Sequence, residues 1–308
     1  MNILLTGPTG FIGVNFLRQA LNRGHGVAAL LLPSEVISSD LQAQANLRII
    51  VGTLADPPWP QIQSFVPDSC LHTAWITTPG VYLESPENDR FLEWSIQFAE
   101  KFFANGGQYF MGLGSCAEYQ PARQPLAEDA SRLNDSTRYA RCKTALRLAL
   151  AQLAAQHHCQ AGWGRVFYPF GVGEHPARLC TTLITKIARG EPVVLKTPES
   201  TKDYIYIDDL ATAILTALEH RFAGALNLGT GRGVTVRHIA KLIGTHLRHP
   251  ELISAASQPL ADPLDYMVAD IAKLRSLGWQ ETVGFAAGLH RLCEHLLLRL
   301  NYPQSGHS

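Results

Sequence analysis

Along the first half of the chain, short apolar runs alternate with longer stretches of helical period. Asn2–Thr6, Gly26–Leu32, Leu47–Val51, Cys70–Ala74, Tyr109–Leu113 and Gly162–Phe167 have strand length and are bounded by glycine, proline or polar residues. Between them Phe11–Arg23, Glu87–Ala104 and Thr137–His157 are patterned as helices, the first stopping at Gly24 and the second at Asn105-Gly106-Gly107. Parallel neighbours can be joined only by crossovers, so this alternation predicts an α/β fold, a doubly wound parallel sheet covered on both faces. The second half is less regular. It predicts helices at Arg178–Arg189, Val236–Leu247, Asp270–Leu277 and Phe285–Leu300, with short strands at Val193–Lys196, Tyr204–Tyr206 and Ala225–Leu228. A further helix runs to about His220, capped by Asp208 or Asp209. Residues 1–167, with about 205–230, are expected to form the sheet domain. Residues 168–204 and 231–301 form a smaller mixed α/β C-terminal lobe for a substrate, and 302–308 a frayed tail.

The first strand runs directly into a glycine turn and a helix, Thr6-Gly7-Pro8-Thr9-Gly10-Phe11-Ile12-Gly13. The three glycines stand where a tight turn, a close backbone approach and a close helix–strand contact each exclude a side chain. The N–H groups opening the helix would then face a pyrophosphate.

Composition narrows the function without naming it. Across 308 residues, 26 basic side chains balance 26 acidic ones with no basic run, which argues against nucleic acid or an anionic membrane as partner. No apolar run reaches membrane-spanning length and no leader precedes the first strand, so a soluble cytoplasmic protein is expected. Six cysteines, Cys70, Cys116, Cys142, Cys159, Cys180 and Cys293, are scattered without a C-x-x-C pair. They are expected as reduced core residues, and no metal-ligand set is expected.

The chemistry falls on the fifth strand and the next helix. Tyr139 and Lys143 are four apart and share one helical face. An ammonium beside a phenol favours phenolate, so the pair predicts a lowered phenol pKa and proton exchange with a hydroxyl or carbonyl. Ser115, just past the fifth strand, can hydrogen-bond the same oxygen.

With these residues in place, the chain resembles an extended short-chain dehydrogenase/reductase of the NAD(P)-dependent sugar-nucleotide epimerase, dehydratase and ketoreductase branch. The motifs carrying the resemblance are T-G-P-T-G-F-I-G at Thr6, H-T-A-W at His72, G-S-C-A-E-Y at Gly114, Y-A-R-C-K at Tyr139 and R-V-F-Y-P-F-G at Arg165. D-Y-I-Y-I-D-D-L follows at Asp203, then N-L-G-T-G at Asn227 and A-D-I-A-K-L-R-S-L-G-W at Ala269. The resemblance implies a Rossmann sheet. It implies a pyrophosphate turn of Gly7, Thr9, Gly10, Phe11, Ile12 and Gly13, a ribose-passing Ala74, and Ser115, Tyr139 and Lys143 as the catalytic set. Lys143 would also hold the nicotinamide ribose. A family homodimer through the helices at 87–104 and 137–157 is implied as well.

Departures from the family pattern refine this. Cys116 and Ala117 stand where dehydratases carry Asp-Glu, which disfavours a dehydratase; Glu118 is expected as a surface charge at the strand end. Cys116, Tyr168 and His175 are candidate substrate contacts. Lys202 stands where many relatives have arginine, and with Arg178 and Arg189 it is a candidate for a substrate diphosphate. The second strand ends Leu32-Pro33-Ser34-Glu35 with no acid at the expected place. Ser34 suits either cofactor, and the balance leans from NAD toward NADP. The expected function is reduction of a 4-keto, nucleotide-activated hexose or deoxyhexose. The alternatives are a 4-epimerase with retained NAD and, in another class, a non-catalytic NAD(P)-binding sensor.

Overall fold

The computed structural model describes residues 1–300; the expected tail at 302–308 lies outside the described residues. In chain order the first half contains β1 (Asn2–Thr6), α1 (Phe11–Asn22), β2 (Gly26–Leu31), α2 (Ser39–Gln42), β3 (Leu47–Val51), α3 (Trp59–Phe65) and β4 (Ser69–His72). It continues through α4 (Glu87–Ala104), β5 (Tyr109–Ser115), α5 (Arg138–Gln156) and β6 (Gln160–Val166). The second half holds β7 (Tyr168–Phe170), α6 (Leu179–Ala188), β8 (Val193–Leu195), β9 (Thr201–Lys202), β10 (Tyr204–Tyr206), α7 (Ile207–Glu219) and β11 (Gly224–Leu228). After these come β12 (Val234–Thr235), α8 (Val236–Leu247), β13 (Ile253–Ala255), β14 (Tyr266–Met267), α9 (Ala272–Ser276) and α10 (Gly284–Arg299).

Seven strands form one parallel sheet in the order β11-β6-β5-β4-β1-β2-β3. Its centre is apolar on both faces, which is why β1 reads as a continuous run rather than an alternation. Ile3 and Leu5 point to one core with Phe16 and Leu17 of α1 and Leu210 and Ile214 of α7. Leu4, between them, points to the other with Phe98 and Phe102 of α4 and Leu146 and Leu150 of α5. The remaining strands pair in small sheets, β7 with β10, β8 with β13, and β9 between β12 and β14.

Four expectations change. The fourth strand stops at His72 rather than Ala74, because Thr73 and Ala74 leave the ladder to wrap the end of β1. The Thr73 hydroxyl donates to the Thr6 carbonyl at 2.7 Å, and the Ala74 N–H to the Thr6 hydroxyl at 3.3 Å. Asp208 and Asp209 do not cap α7, whose N-cap is Tyr206 with no side-chain bond. Instead the buried Asp209 carboxylate accepts from the N–H groups of Thr282, Val283 and Gly284 (2.8–3.0 Å) and from the Thr282 hydroxyl, closing the start of α10. The helix expected at Asp270–Leu277 begins only at Ala272, since the Asp270 carboxylate accepts from the Ala272 N–H and makes a turn. Glu118, expected at the surface, is wholly buried.

All six cysteines are free thiols, Cys159 half-buried and the others buried. Among the described residues no helix is long and apolar enough to cross a membrane.

Candidate active site

A cleft of about 640 Å³ opens at the carboxyl ends of β1, β2, β4, β5 and β6. It straddles β1 and β4, where the strand order reverses, the place at which open α/β sheets bind ligands. One end is the glycine turn: Gly7, Thr9, Gly10, Phe11, Ile12 and Gly13 all line it. Gly7 has φ +66°, and a Cβ there would lie 2.9 Å from the Ala74 nitrogen. A Cβ on Gly13 would lie 2.0 Å from the Gly7 carbonyl oxygen. The turn therefore admits only glycine at both positions, and the first N–H groups of α1 stay open to the cleft. These donors fit the pyrophosphate of a dinucleotide.

Beneath the turn, His72 is buried with one ring nitrogen 2.9 Å from the Thr6 hydroxyl and the other 2.9 Å from the Ser95 hydroxyl. Burial, aided by the nearby Lys143 charge, pushes its pKa down to about 3, so it is a neutral bridge between β1, β4 and α4.

At the end of β2, Glu35 lines the cleft and Ser34 does not. The Glu35 carboxylate accepts from the Thr9 hydroxyl at 2.5 Å and the Leu32 N–H at 3.0 Å. It thus sits across from the glycine turn, an acid supplied a few residues later than expected. Ala74 and Trp75 line the opposite wall.

Tyr139 and Lys143 share the buried face of α5 and line the same cleft. The Lys143 Nζ donates to the Leu113 carbonyl at 2.8 Å and lies 3.7 Å from the centroid of the Trp75 ring. Burial pulls its pKa down to about 7. The Tyr139 phenol packs edge-on against Tyr82, ring centroids 4.9 Å apart. The expected lowering of its pKa does not occur. Burial pushes the phenol up, the Ser115 hydroxyl beside it pulls only weakly the other way, and Lys143 spends its hydrogen bond on a carbonyl. Tyr139 therefore stands as a protonated donor.

Ser115 is fixed by a one-turn helix that it caps. Its hydroxyl accepts from the Ala117 N–H at 3.2 Å, leaving its own hydrogen free to donate, while Glu118 accepts from the Ser115 N–H at 2.8 Å. Glu118 also accepts from Trp163 Nε1 at 3.0 Å and from Arg165 Nε at 3.1 Å, an ion pair buried on both sides. Arg165 in turn donates to the Tyr119 hydroxyl, which donates to Asn227. The turn carrying Ser115 thus rests on a closed polar network.

The other expected contacts divide. Arg178, exposed, lines the cleft. Cys116 lies next to Ser115, its thiol pushed up to about 12 by burial and therefore protonated. The Lys202 ammonium lies 5.6 Å from the Tyr168 ring centroid and pairs with Asp262 at 3.0 Å. His175 is exposed, its ring accepting from the Ala177 N–H, outside the cleft lining. Glu35, Trp75, Tyr82 and Asp262 were absent from the expected set; only Trp75 fell inside a recognised motif.

Residues 3–229 match the profile of the NAD dependent epimerase/dehydratase family. The chain is 25% identical over 303 residues to a UDP-glucose 4-epimerase of Corynebacterium glutamicum, covering 91% of this chain and 90% of that protein. It is 23% identical over 209 residues to a dTDP-4-dehydro-6-deoxyglucose reductase of Escherichia coli, 66% of each chain. The crystal structure of a Thermus thermophilus UDP-glucose 4-epimerase in complex with NAD superposes with a TM-score of 0.82 at 23% identity, over 96% of this chain and 98% of that one.

Proposed function

The chain belongs to the NAD dependent epimerase/dehydratase family, and on that premise we propose that it transfers hydride at carbon 4 of a nucleotide-activated hexose or deoxyhexose. The observation that carries the proposal is the continuity of one cleft. It runs from a turn that only glycine can make to a buried Tyr139 and Lys143, with Ser115 beside the phenol.

In this reading the glycine turn and the start of α1 hold the pyrophosphate, and Ala74, Tyr139 and Lys143 the nicotinamide end. Glu35 faces the adenosine ribose, where its carboxylate accepts from the hydroxyls and repels a 2′-phosphate. That favours NAD and replaces the leaning toward NADP. When bound, the dinucleotide supplies the hydride acceptor and donor. Ser115 donates a hydrogen bond to the sugar oxygen. Tyr139 gives that oxygen its proton in the reducing direction. In the oxidising direction the phenol must first be ionised, which the positive charges of Lys143 and of an oxidised nicotinamide would favour, before it takes the proton back. The Tyr82 ring packs edge-on against Tyr139 and the Trp75 ring lies under the Lys143 ammonium, so the two aromatics hold the pair in place.

Two reactions use this arrangement. Glu35 and the nearly full-length similarity to a 4-epimerase move the weight from net reduction of a 4-keto sugar to 4-epimerisation with NAD retained between half-reactions. Net reduction is the second reading, favoured by the similarity to the reductase. The substrate diphosphate would rest on the exposed Arg178, because the Lys202 charge is already matched by Asp262.

The test is to denature the purified protein, identify the released nucleotide, and assay UDP- and dTDP-linked hexoses and their 4-keto forms. NAD at about one per chain with interconversion of C4 epimers supports the epimerase. An empty site with NAD(P)H-dependent reduction supports the reductase. Substitution Tyr139→Phe is expected to lower either activity by roughly 10²–10⁴-fold while leaving nucleotide binding in place. Full activity of that variant would refute the mechanism.

A further inference from the structure

Outside the cleft lining, α8 and α10 bring together three side chains that no step above uses. His246 stands on α8; His290 and Glu294 are one turn apart on α10. Their ligand atoms all lie within 4.8 Å of one another. His246 Nε2 is 2.9 Å from the Glu294 carboxylate, and the two imidazole rings meet edge to face with centroids 4.8 Å apart.

We infer that these three residues form a binding site for a divalent first-row metal ion of the zinc type, joining α8 to α10. Two imidazoles and one carboxylate are a donor set suited to zinc, with a fourth position left to water. Zinc–ligand bonds of about 2.0–2.2 Å place tetrahedral ligand atoms about 3.4 Å apart. The observed spacing closes to that value by side-chain rotation. His290 is exposed and free to turn, while half-buried His246 and Glu294 already touch. None of the three lines the catalytic cleft, so the ion clamps the C-terminal helices and takes no part in hydride transfer. Its ligands lie up to 48 residues apart, beyond the reach of any local spacing motif.

The experiment uses the full chain without an affinity tag, titrated with Zn²⁺ by calorimetry and with Co²⁺ by visible absorption. One ion per chain, binding at about 10 µM or tighter, is expected. The melting temperature should rise with Zn²⁺. In His290→Ala, which trims an exposed side chain, affinity should fall by at least roughly a hundredfold and the rise should vanish. Glu294→Gln should weaken binding in the same sense. Binding in the wild type no tighter than about 1 mM would overturn the assignment. So would wild-type affinity in both variants, or a cobalt spectrum showing thiolate charge transfer, which would put the ion on cysteines.

Discussion

Removing the Glu118 side chain tests whether the polar network beneath Ser115 holds the active-site turn. Glu118 and Arg165 are both essentially without solvent exposure, and their ion pair is 3.1 Å long. Glu118→Ala leaves the Arg165 guanidinium buried with no counter-charge, and strands the Ser115 N–H and Trp163 Nε1. Breaking a buried pair from one side costs about 3–5 kcal/mol, a large share of a total stability of about 5–15 kcal/mol. With a urea dependence of about 3 kcal/mol per molar, the unfolding midpoint should fall by about 1–1.7 M. Glu118→Gln keeps the shape but turns an amide N–H toward Arg165, so an intermediate loss is expected. The double variant Glu118→Leu/Arg165→Met removes both charges and should recover much of the loss, because an apolar pair of similar volume costs little. Added salt should not reproduce the effect, since a buried pair is poorly screened. Turnover should fall further than stability alone explains, because the cap that fixes Ser115 is gone. A loss below about 1 kcal/mol in Glu118→Ala, or additive single losses in the double variant, would refute the network.

Three other outcomes follow from single side chains. Glu35→Ala should raise NADP affinity relative to NAD by roughly ten- to hundredfold, measured by fluorescence titration of both nucleotides; an unchanged ratio would remove Glu35 from the ribose. His72 takes up a proton near pH 6.5 when unfolded but only near 3 when folded, so the unfolded state binds more protons between those values and stability falls as pH drops through them. By pH 5 this amounts to about 2 kcal/mol, and His72→Gln should flatten the unfolding free energy against pH by about one proton in that window. Asp209→Ala leaves the start of α10 without its acceptor and should cost about 2–4 kcal/mol in denaturant unfolding with no change in nucleotide affinity.

The sheet was legible because its signal is local. Each central strand is buried on both faces, and every residue of β1 after Asn2 is covered, so an apolar run of strand length has no competing interpretation. The glycine turn was legible for a related reason, since φ +66° at Gly7 and the 2.0 Å approach at Gly13 forbid any other residue. Tyr139, Lys143 and Ser115 were singled out by helical spacing and chain order, and the structure sets the first two on one buried helical face with Ser115 beside the phenol. The direction of the phenol pKa was missed, because spacing gives proximity but not burial, and burial dominates here. The short α2 and α3, and β7, β9, β12, β13 and β14 of the second half, were missed because they offer no period to detect, whereas β8 and β10 were expected.

The carboxylates show where local inference ends. Glu118, Asp209 and Glu35 each look, in their own stretch, like a surface charge, a helix cap and a loop acid. Each instead answers to donors elsewhere: Glu118 to Arg165, Asp209 to the start of α10, and Glu35 to Thr9. Buried charge is tolerated only where such partners converge, so the identity of the partner, not the neighbouring residues, sets the role. Lys202 follows the same rule. Its position suggested a free cation for a diphosphate, but Asp262 neutralises it across a separation of 60 residues. In the proposed reaction the substrate diphosphate would rest on Arg178 or would displace Asp262 from Lys202. Binding compared between wild type and Asp262→Asn separates the two. A gain in affinity for the nucleotide moiety in the variant means that Lys202 is released to the phosphates; no change leaves them to Arg178.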